Sequence, residues 1–220
     1  MQRRAFSRSL LAAGAASAGV LALPALAQAP VFKEGSDYLR LGRPAPVESP
    51  AGQIEVVEFF AYSCIHCFNF EPLLATWTRK LSAGVAFRRA PVRFADVFVP
   101  LQHLYYTLEA MGVLDKMHDK VFNSAFVGKE LGREQLKSPA AVTAWIMSWV
   151  ERQGLDKARF TELFNSFTVA GKANRAAQLQ DAYGVEGTPA LGIAGRFYIP
   201  GQGPRTLQIA DALIAQLRKG

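Results

Sequence analysis

The chain has 220 residues, of which half are apolar, and a formal net charge of +7. That apolar content excludes a disordered chain. The mild basicity is spread out, with no Lys/Arg cluster interleaved with aromatics, so nucleic acid is excluded as the organising partner.

The first 27 residues have the form of a signal peptide. Arg3, Arg4 and Arg8 make a basic start without acidic residues, Leu10 to Leu23 is apolar and rich in Ala and Gly, and Ala25-Leu26-Ala27 fits a small-x-small cleavage site. The apolar stretch is shorter than the ~20 residues that span a bilayer. Arg3-Arg4-Ala5-Phe6 also fits a twin-arginine export signal. Either route ends outside the cytoplasm, where disulfides persist. Cleavage after Ala27 leaves 193 residues and, with the three arginines removed, a net charge of +4.

Residues 28–50 are Pro-rich and irregular, with a short edge strand expected at Tyr38–Leu41. Ile54–Tyr62 (IEVVEFFAY) is β-branched and aromatic and predicts a central strand buried on both faces. Glu58 is anomalous in its middle. From Ile65 to Leu81 the pattern turns helical, with Phe68, Leu74, Trp77 and Leu81 as its apolar side and Pro72 expected to kink it. Val85–Val92 predicts a second strand. Helices are then expected over Pro100–Met111, Leu114–Phe122, Pro139–Gln153 (Ser138 as cap, Gly154 as stop), Asp156–Asn165 and Ala170–Tyr183, the last closed by Gly184. Ala190–Ala194 and Arg196–Ile199 read as a hairpin around Gly195. Thr206–Leu217 reads as an amphipathic helix with Leu207, Ala210, Leu213, Ile214 and Leu217 on one face. Without its helical block the order is βαβ-α-ββ-α, an α/β sheet sandwich interrupted by an all-helical insertion.

Cys64 and Cys67 are the only cysteines, in the order Cys64-Ile65-His66-Cys67. A disulfide closing so small a loop constrains the unfolded chain little. The pair therefore reads as redox chemistry or half a metal site rather than a staple. At the start of a helix the Cys64 sulfur meets free N–H groups and the positive end of the helix dipole, both favouring a thiolate. Such settings bring a thiol from ~8.5 to roughly 3.5–7.5. A stabilised thiolate makes the disulfide the stronger oxidant. Residues three apart share a helix face, so Cys67 reaches Cys64 while lying deeper, as the cysteine that resolves a mixed disulfide. His66 is a candidate to stabilise the thiolate further. Glu58 is either a buried carboxyl exchanging protons with Cys67 or the partner of a Lys or Arg. Glu71 reads as a surface charge tuning the local field. Thr188-Pro189 precedes the hairpin, where Pro is permitted.

Taken together, VVEFFAYSCIHC, the following FNFE, the helical insertion and the late EGTPALGIAGRFY resemble the DsbA family of periplasmic disulfide oxidases. The resemblance spans essentially the whole mature chain. It implies a thioredoxin fold, residues 28–98 and 169–220, with a helical domain inserted at 99–168. It implies Cys64 as nucleophile, Cys67 as resolving cysteine, Glu58 and His66 as supporting residues, Glu71 and Ile65 as tuning positions, and Thr188 with a cis Pro189 facing the cysteines to pair with a substrate chain. Reduced exported proteins as clients, a DsbB-type quinone-linked membrane reoxidant, a monomer, and no cofactor beyond the cysteine pair are implied likewise. Two positions depart from the family's pattern: Ile65 stands where Pro is familiar, and Thr188 where Val is. Thr188 suggests an isomerase, but too few residues precede the central strand for the dimerisation domain of isomerases.

Other classes remain: an isomerase or reductase, a metal module using the cysteines with His103 and His118, or a substrate-holding protein with an incidental disulfide. Structural zinc needs four ligands, often in paired motifs. His103 and His118, 15 residues apart, are expected as surface or half-buried helix residues.

Overall fold

The computed structural model describes residues 31–201 and 203–219. The signal-peptide expectation, with its cleavage site and arginine pair, lies outside the described residues. Among those described, no helix is long and apolar enough to cross a membrane.

Five strands form one mixed sheet: β1 (Leu39–Arg40), β2 (Ile54–Phe60), β3 (Val85–Pro91), β4 (Ala190–Ile193) and β5 (Phe197–Pro200). Their spatial order is β1-β5-β4-β2-β3, with only β2 and β3 parallel. The parallel pair needs a crossover, and α1 (Ile65–Thr78) supplies it. β2 is buried along almost its whole length, as its continuous apolar run requires. It ends two residues before Tyr62, where the chain turns and the Cys64 N–H bonds the Ala61 carbonyl.

Between β3 and β4 lie α2 (Val99–Ala110), α3 (Leu114–Phe126), α4 (Pro139–Arg152), α5 (Lys157–Phe164) and α6 (Phe167–Tyr183). Their ends follow local chemistry. Ser138, Asp156 and Ser166 accept from the Ala141, Arg159 and Val169 N–H groups. Gly184 closes α6 in the left-handed conformation at φ +62°. α6 begins three residues before its expected start, because Ser166 caps an additional turn. α7 (Pro204–Leu217) completes the fold. α1 and α7 cover one face of the sheet around Phe70, Leu74, Trp77, Leu213 and Ile214. Tyr183 of α6 packs on the other face beside Phe59.

α1 runs through Pro72 without ending. Its buried residues are Cys67, Phe70, Glu71, Leu74 and Trp77, so Phe70 rather than Phe68 is its buried phenylalanine. Glu71 is buried at 8% exposure, which corrects the surface expectation. One helical turn after Cys67 it shares the cysteine's inward face. His118 is buried as well, at 5%, and so departs from its expected surface or half-buried setting, whereas His103 is half-buried as expected.

The reason is electrostatic. β2 carries two buried carboxylates an odd spacing apart, so they point to opposite faces. Glu55 accepts from the Glu48 and Ser49 N–H groups and from Arg88. Glu58 accepts from Arg89 at 2.9 Å, and the same guanidinium reaches Glu71 on α1. Exposed pairs such as Lys137–Glu134 are worth about 0–1 kcal/mol. Removing one partner of a buried pair costs roughly 3–5 kcal/mol. The paired arginines of β3 are therefore what lets two carboxylates sit inside β2.

Gly192 of β4 allows the approach of α6. A Cβ there would lie 2.5 Å from the Tyr183 ring and 2.7 Å from Val57. Gly192→Ala should destabilise the fold by about 1–3 kcal/mol, read as a lower urea midpoint. An unchanged midpoint would mean that the α6–sheet spacing is not set here.

Candidate active site

Cys64 is the N-cap of α1. Its backbone is extended (φ −98°, ψ 109°), and its sulfur accepts the Cys67 N–H at 3.3 Å, as a serine oxygen would at that position. Cys64 is half-buried, Cys67 fully buried, and both are free thiols in this structure. The depth difference is the one expected from the three-residue spacing.

These surroundings split the two thiols. Cys64 is brought down to about 6. The largest contribution is a hydrogen bond from the Cys67 thiol. Burial opposes it, and the Thr188 side chain and the backbone N–H groups of Cys67 and His66 add to it. Cys67 is pushed strongly up, first by burial and then by holding its proton toward Cys64. The reduced pair thus keeps one proton on the buried sulfur and leaves the outer sulfur as the anion near neutrality.

The loop before β4 closes the other side. The Thr188–Pro189 peptide bond is cis, and the Thr188 carbonyl lies 3.4 Å from Cys64 Sγ, where it accepts the S–H of the protonated thiol. His66 and Ile65 are exposed at the first turn of α1. The His66 contribution named above is its backbone N–H, not its imidazole.

Beneath the pair lies the buried charge cluster. Burial pushes Glu58 up to about 8 against the opposing pull of Arg89; the nearby Glu71 and Cys64 charges push the same way. Glu58 is thus both buried and paired with an arginine. Glu71 lines a cavity of about 310 Å³ with Phe68, Pro72 and Phe122.

Among the described residues no group of three or more His, Cys, Asp or Glu could hold a metal ion. His103 bonds the Phe164 carbonyl at 2.9 Å and His118 the Tyr62 hydroxyl, so the two histidines serve separate contacts.

No family model matches the chain. It is 38% identical to the thiol:disulfide interchange protein DsbA of Bordetella parapertussis, with all of both chains covered. It is 34% identical to that of Burkholderia cepacia, covering 98% of each chain. The chain belongs to the DsbA family. The crystal structure of Pseudomonas aeruginosa DsbA matches with a TM-score of 0.76 at 34% identity, covering 86% of this chain and 95% of that one. DsbA from Xylella fastidiosa gives 0.77 at 27%, covering 87% and 100%. The fold is thus a thioredoxin fold with a helical insertion, and the chain is a thiol:disulfide oxidoreductase.

Sequence reasoning missed Arg89 and Tyr62 beneath the cysteine pair and weighed His118 only as a metal ligand. Consecutive arginines in a strand-like run, beside a strand holding buried-type glutamates, signalled Arg89. His118 falls on the buried side of α3 with Val121, Phe122 and Ala125, a periodicity that was available.

The Cys64 thiolate should titrate with a midpoint near 6 by its ultraviolet absorbance, and Cys67→Ala should move it upward because the largest stabilising donor is lost. The same ionisation sets a pH dependence. A thiol depressed in the folded state adds stability that is full above its unfolded value, ~8.5, and lost as pH falls through about 6. The raised Cys67 acts oppositely, but only as pH rises past ~8.5. The stability of the reduced protein relative to the oxidised one should therefore climb from pH 6 to pH 8. A flat difference measured by urea unfolding would contradict the assignment.

Proposed function

We propose that the chain is an exported disulfide oxidase that donates a Cys64–Cys67 disulfide to cysteine pairs of reduced proteins. The observation that carries this reading is the depressed thiol of Cys64 at the cap of α1 beside its buried partner. A stable thiolate in the reduced state makes the disulfide easy to reduce, hence oxidising.

In the proposed cycle a client thiolate attacks Cys64 Sγ. The S–S bond breaks, its electron pair goes to Cys67, and a Cys64–client disulfide forms. Glu58, protonated near neutrality, supplies the proton that Cys67 keeps. A second client thiolate then attacks the client sulfur and expels Cys64 as a thiolate. Two client thiols have lost two electrons to the cysteine pair; one proton ends on Cys67 and the other leaves to solvent. Glu58 regains its proton from solvent.

Thr188 and cis Pro189 are proposed to receive the client chain, with the exposed edge of the loop offering backbone groups. His66, exposed at the first turn, and Ile65 are proposed to tune the potential, and Glu71 to do so from below. Residues 28–98 and 169–220 are taken as the thioredoxin-like part and 99–168 as the insertion; the latter boundary falls in the first turn of α6. The periplasm as destination, a cleaved leader of Sec or twin-arginine type, clients that are unfolded exported proteins, reoxidation by a DsbB-type membrane partner, and a monomeric state all belong to this proposal. Isomerase activity is the second reading, favoured by Thr188 alone.

Cys64→Ser should abolish disulfide transfer to a reduced substrate, whereas Cys67→Ala should accumulate mixed disulfides visible by non-reducing electrophoresis. Recovery of none would remove Cys67 from the resolving step. Glu58→Gln should slow release of the reduced enzyme about 10²-fold or more in stopped-flow exchange with a reduced peptide, in line with loss of a positioned proton donor. An unchanged rate would place the proton source elsewhere.

A further inference from the structure

We propose that His118 is a positioning residue for disulfide exchange. From α3 it fixes Glu71 as the ionised member of the two carboxylates that share Arg89, and so leaves the proton on Glu58 beside the cysteine pair.

The argument begins with charge. Arg89 donates Nε–H to Glu58 and Nη2–H to Glu71. One guanidinium neutralises one carboxylate, so a buried cluster of this composition closes its charge only by keeping a proton on one of the two acids. Arg89 touches both and does not decide which. The decision falls to what else each carboxylate meets.

Among the described residues Glu58 accepts no hydrogen bond besides that from Arg89. It is 1% exposed, and beyond Arg89 it faces Glu71 and Cys64, whose negative charges disfavour ionisation. Glu71 differs in two ways. It lines the cavity of about 310 Å³ between α1 and α3, and its second oxygen, Oε2, faces His118 Nε2 at 3.5 Å.

The tautomer of His118 follows from its other nitrogen. Nδ1 lies 2.9 Å from the Tyr62 hydroxyl. Among the described residues that hydroxyl has no other hydrogen-bond partner, and Tyr62 is 1% exposed. Its hydrogen is satisfied only by donating to Nδ1, so the ring proton resides on Nε2. Nε2 is itself buried and has no partner in hydrogen-bonding geometry. A buried N–H without a hydrogen-bond partner, 3.5 Å from a carboxylate oxygen, requires an explanation. Holding the Glu71 anion supplies one.

Burial lowers His118, so the ring acts as a neutral N–H donor near pH 7 and not as an imidazolium. The charged and titratable groups around it are Glu71 of α1, Arg89 of β3, Asp119 of α3, Tyr62 at the end of β2 and Tyr105 of α2, whose ring centre is 6.3 Å away. The Phe60 and Phe122 rings close the remaining sides, at 5.3 and 5.1 Å. A donor in so dry a setting has more effect on a carboxylate than one in water. Through His118 the helices between β3 and β4 reach the proton store under the cysteines.

The proposal deepens the disulfide-exchange reading and rests on it only for its consequence in the cycle. Its test is the carboxyl carbon titration of Glu58 by NMR in the full-length reduced protein, with the signal assigned through Glu58→Gln. His118→Leu should lower the Glu58 midpoint by about half a pH unit or more, because Glu71 then competes for the proton. His118→Gln, which keeps an N–H near the place of Nε2, should restore most of the difference. Tyr62→Phe keeps the ring but frees the tautomer, and should move Glu58 the same way; it also serves if the leucine variant does not fold. Equal displacement in the leucine and glutamine variants would show packing alone and overturn the proposal, as would no displacement in His118→Leu or Tyr62→Phe. No client is present, so a protein that transfers no disulfides yet shows these displacements would sink the functional reading and leave this one standing.

Discussion

The structure depends on one sulfur taking the place of a capping oxygen. Cys64 occupies the N-cap of α1, where a helix offers its unsatisfied N–H groups and its positive end. An oxygen there would merely cap. A sulfur with Cys67 one turn below can also ionise, because it accepts the Cys67 N–H and the Cys67 thiol together. β2, buried along almost its whole length, delivers the chain to that position, and the turn at Ala61 ends it at the right residue. The loop of cis Pro189 brings the Thr188 carbonyl within 3.4 Å of the sulfur from the opposite side.

The cluster beneath has a different logic. Carboxylates in a buried central strand are destabilising unless paired, and β3 answers each with an arginine. Each arginine is shared, Arg88 with Glu48 and Arg89 with Glu71. Glu55 also accepts two backbone N–H groups, whereas among the described residues Glu58 accepts from Arg89 alone. Burial, only partly opposed by an arginine that Glu71 shares, leaves Glu58 near 8.

Much of this was legible in the chain. The IEVVEFFAY run gave β2 through its β-branched and aromatic content, the Cys64–Cys67 spacing gave the depth difference, and Ser138-Pro139 and Gly184 gave helix ends through capping chemistry. The errors share one cause. Glu71 and His118 were taken for surface or half-buried groups because a polar residue on a helix is exposed by default. Glu71 is paired by Arg89, which is distant in sequence and meets it only after β3 lies beside β2, and His118 finds Tyr62 and Glu71 from another helix. Ile54 to Phe60 and Val85 to Pro91 pair residue by residue in parallel, and that register could not be read from local pattern. Tyr62, at the end of an apolar run, gave no sign that its hydroxyl would find a histidine.

The pH dependence of the reduction potential tests the central claim most directly. If Cys64 is the anion of the reduced pair above pH 6 and Cys67 keeps its proton, reduction takes up two electrons with a single proton. The potential measured against glutathione should then fall by about 30 mV per pH unit between pH 6.5 and 8, and by about 59 mV per unit only well below 6. A uniform fall near 59 mV per unit up to pH 8 would mean that both sulfurs are protonated on reduction, and the capping sulfur would have no part in making the disulfide oxidising.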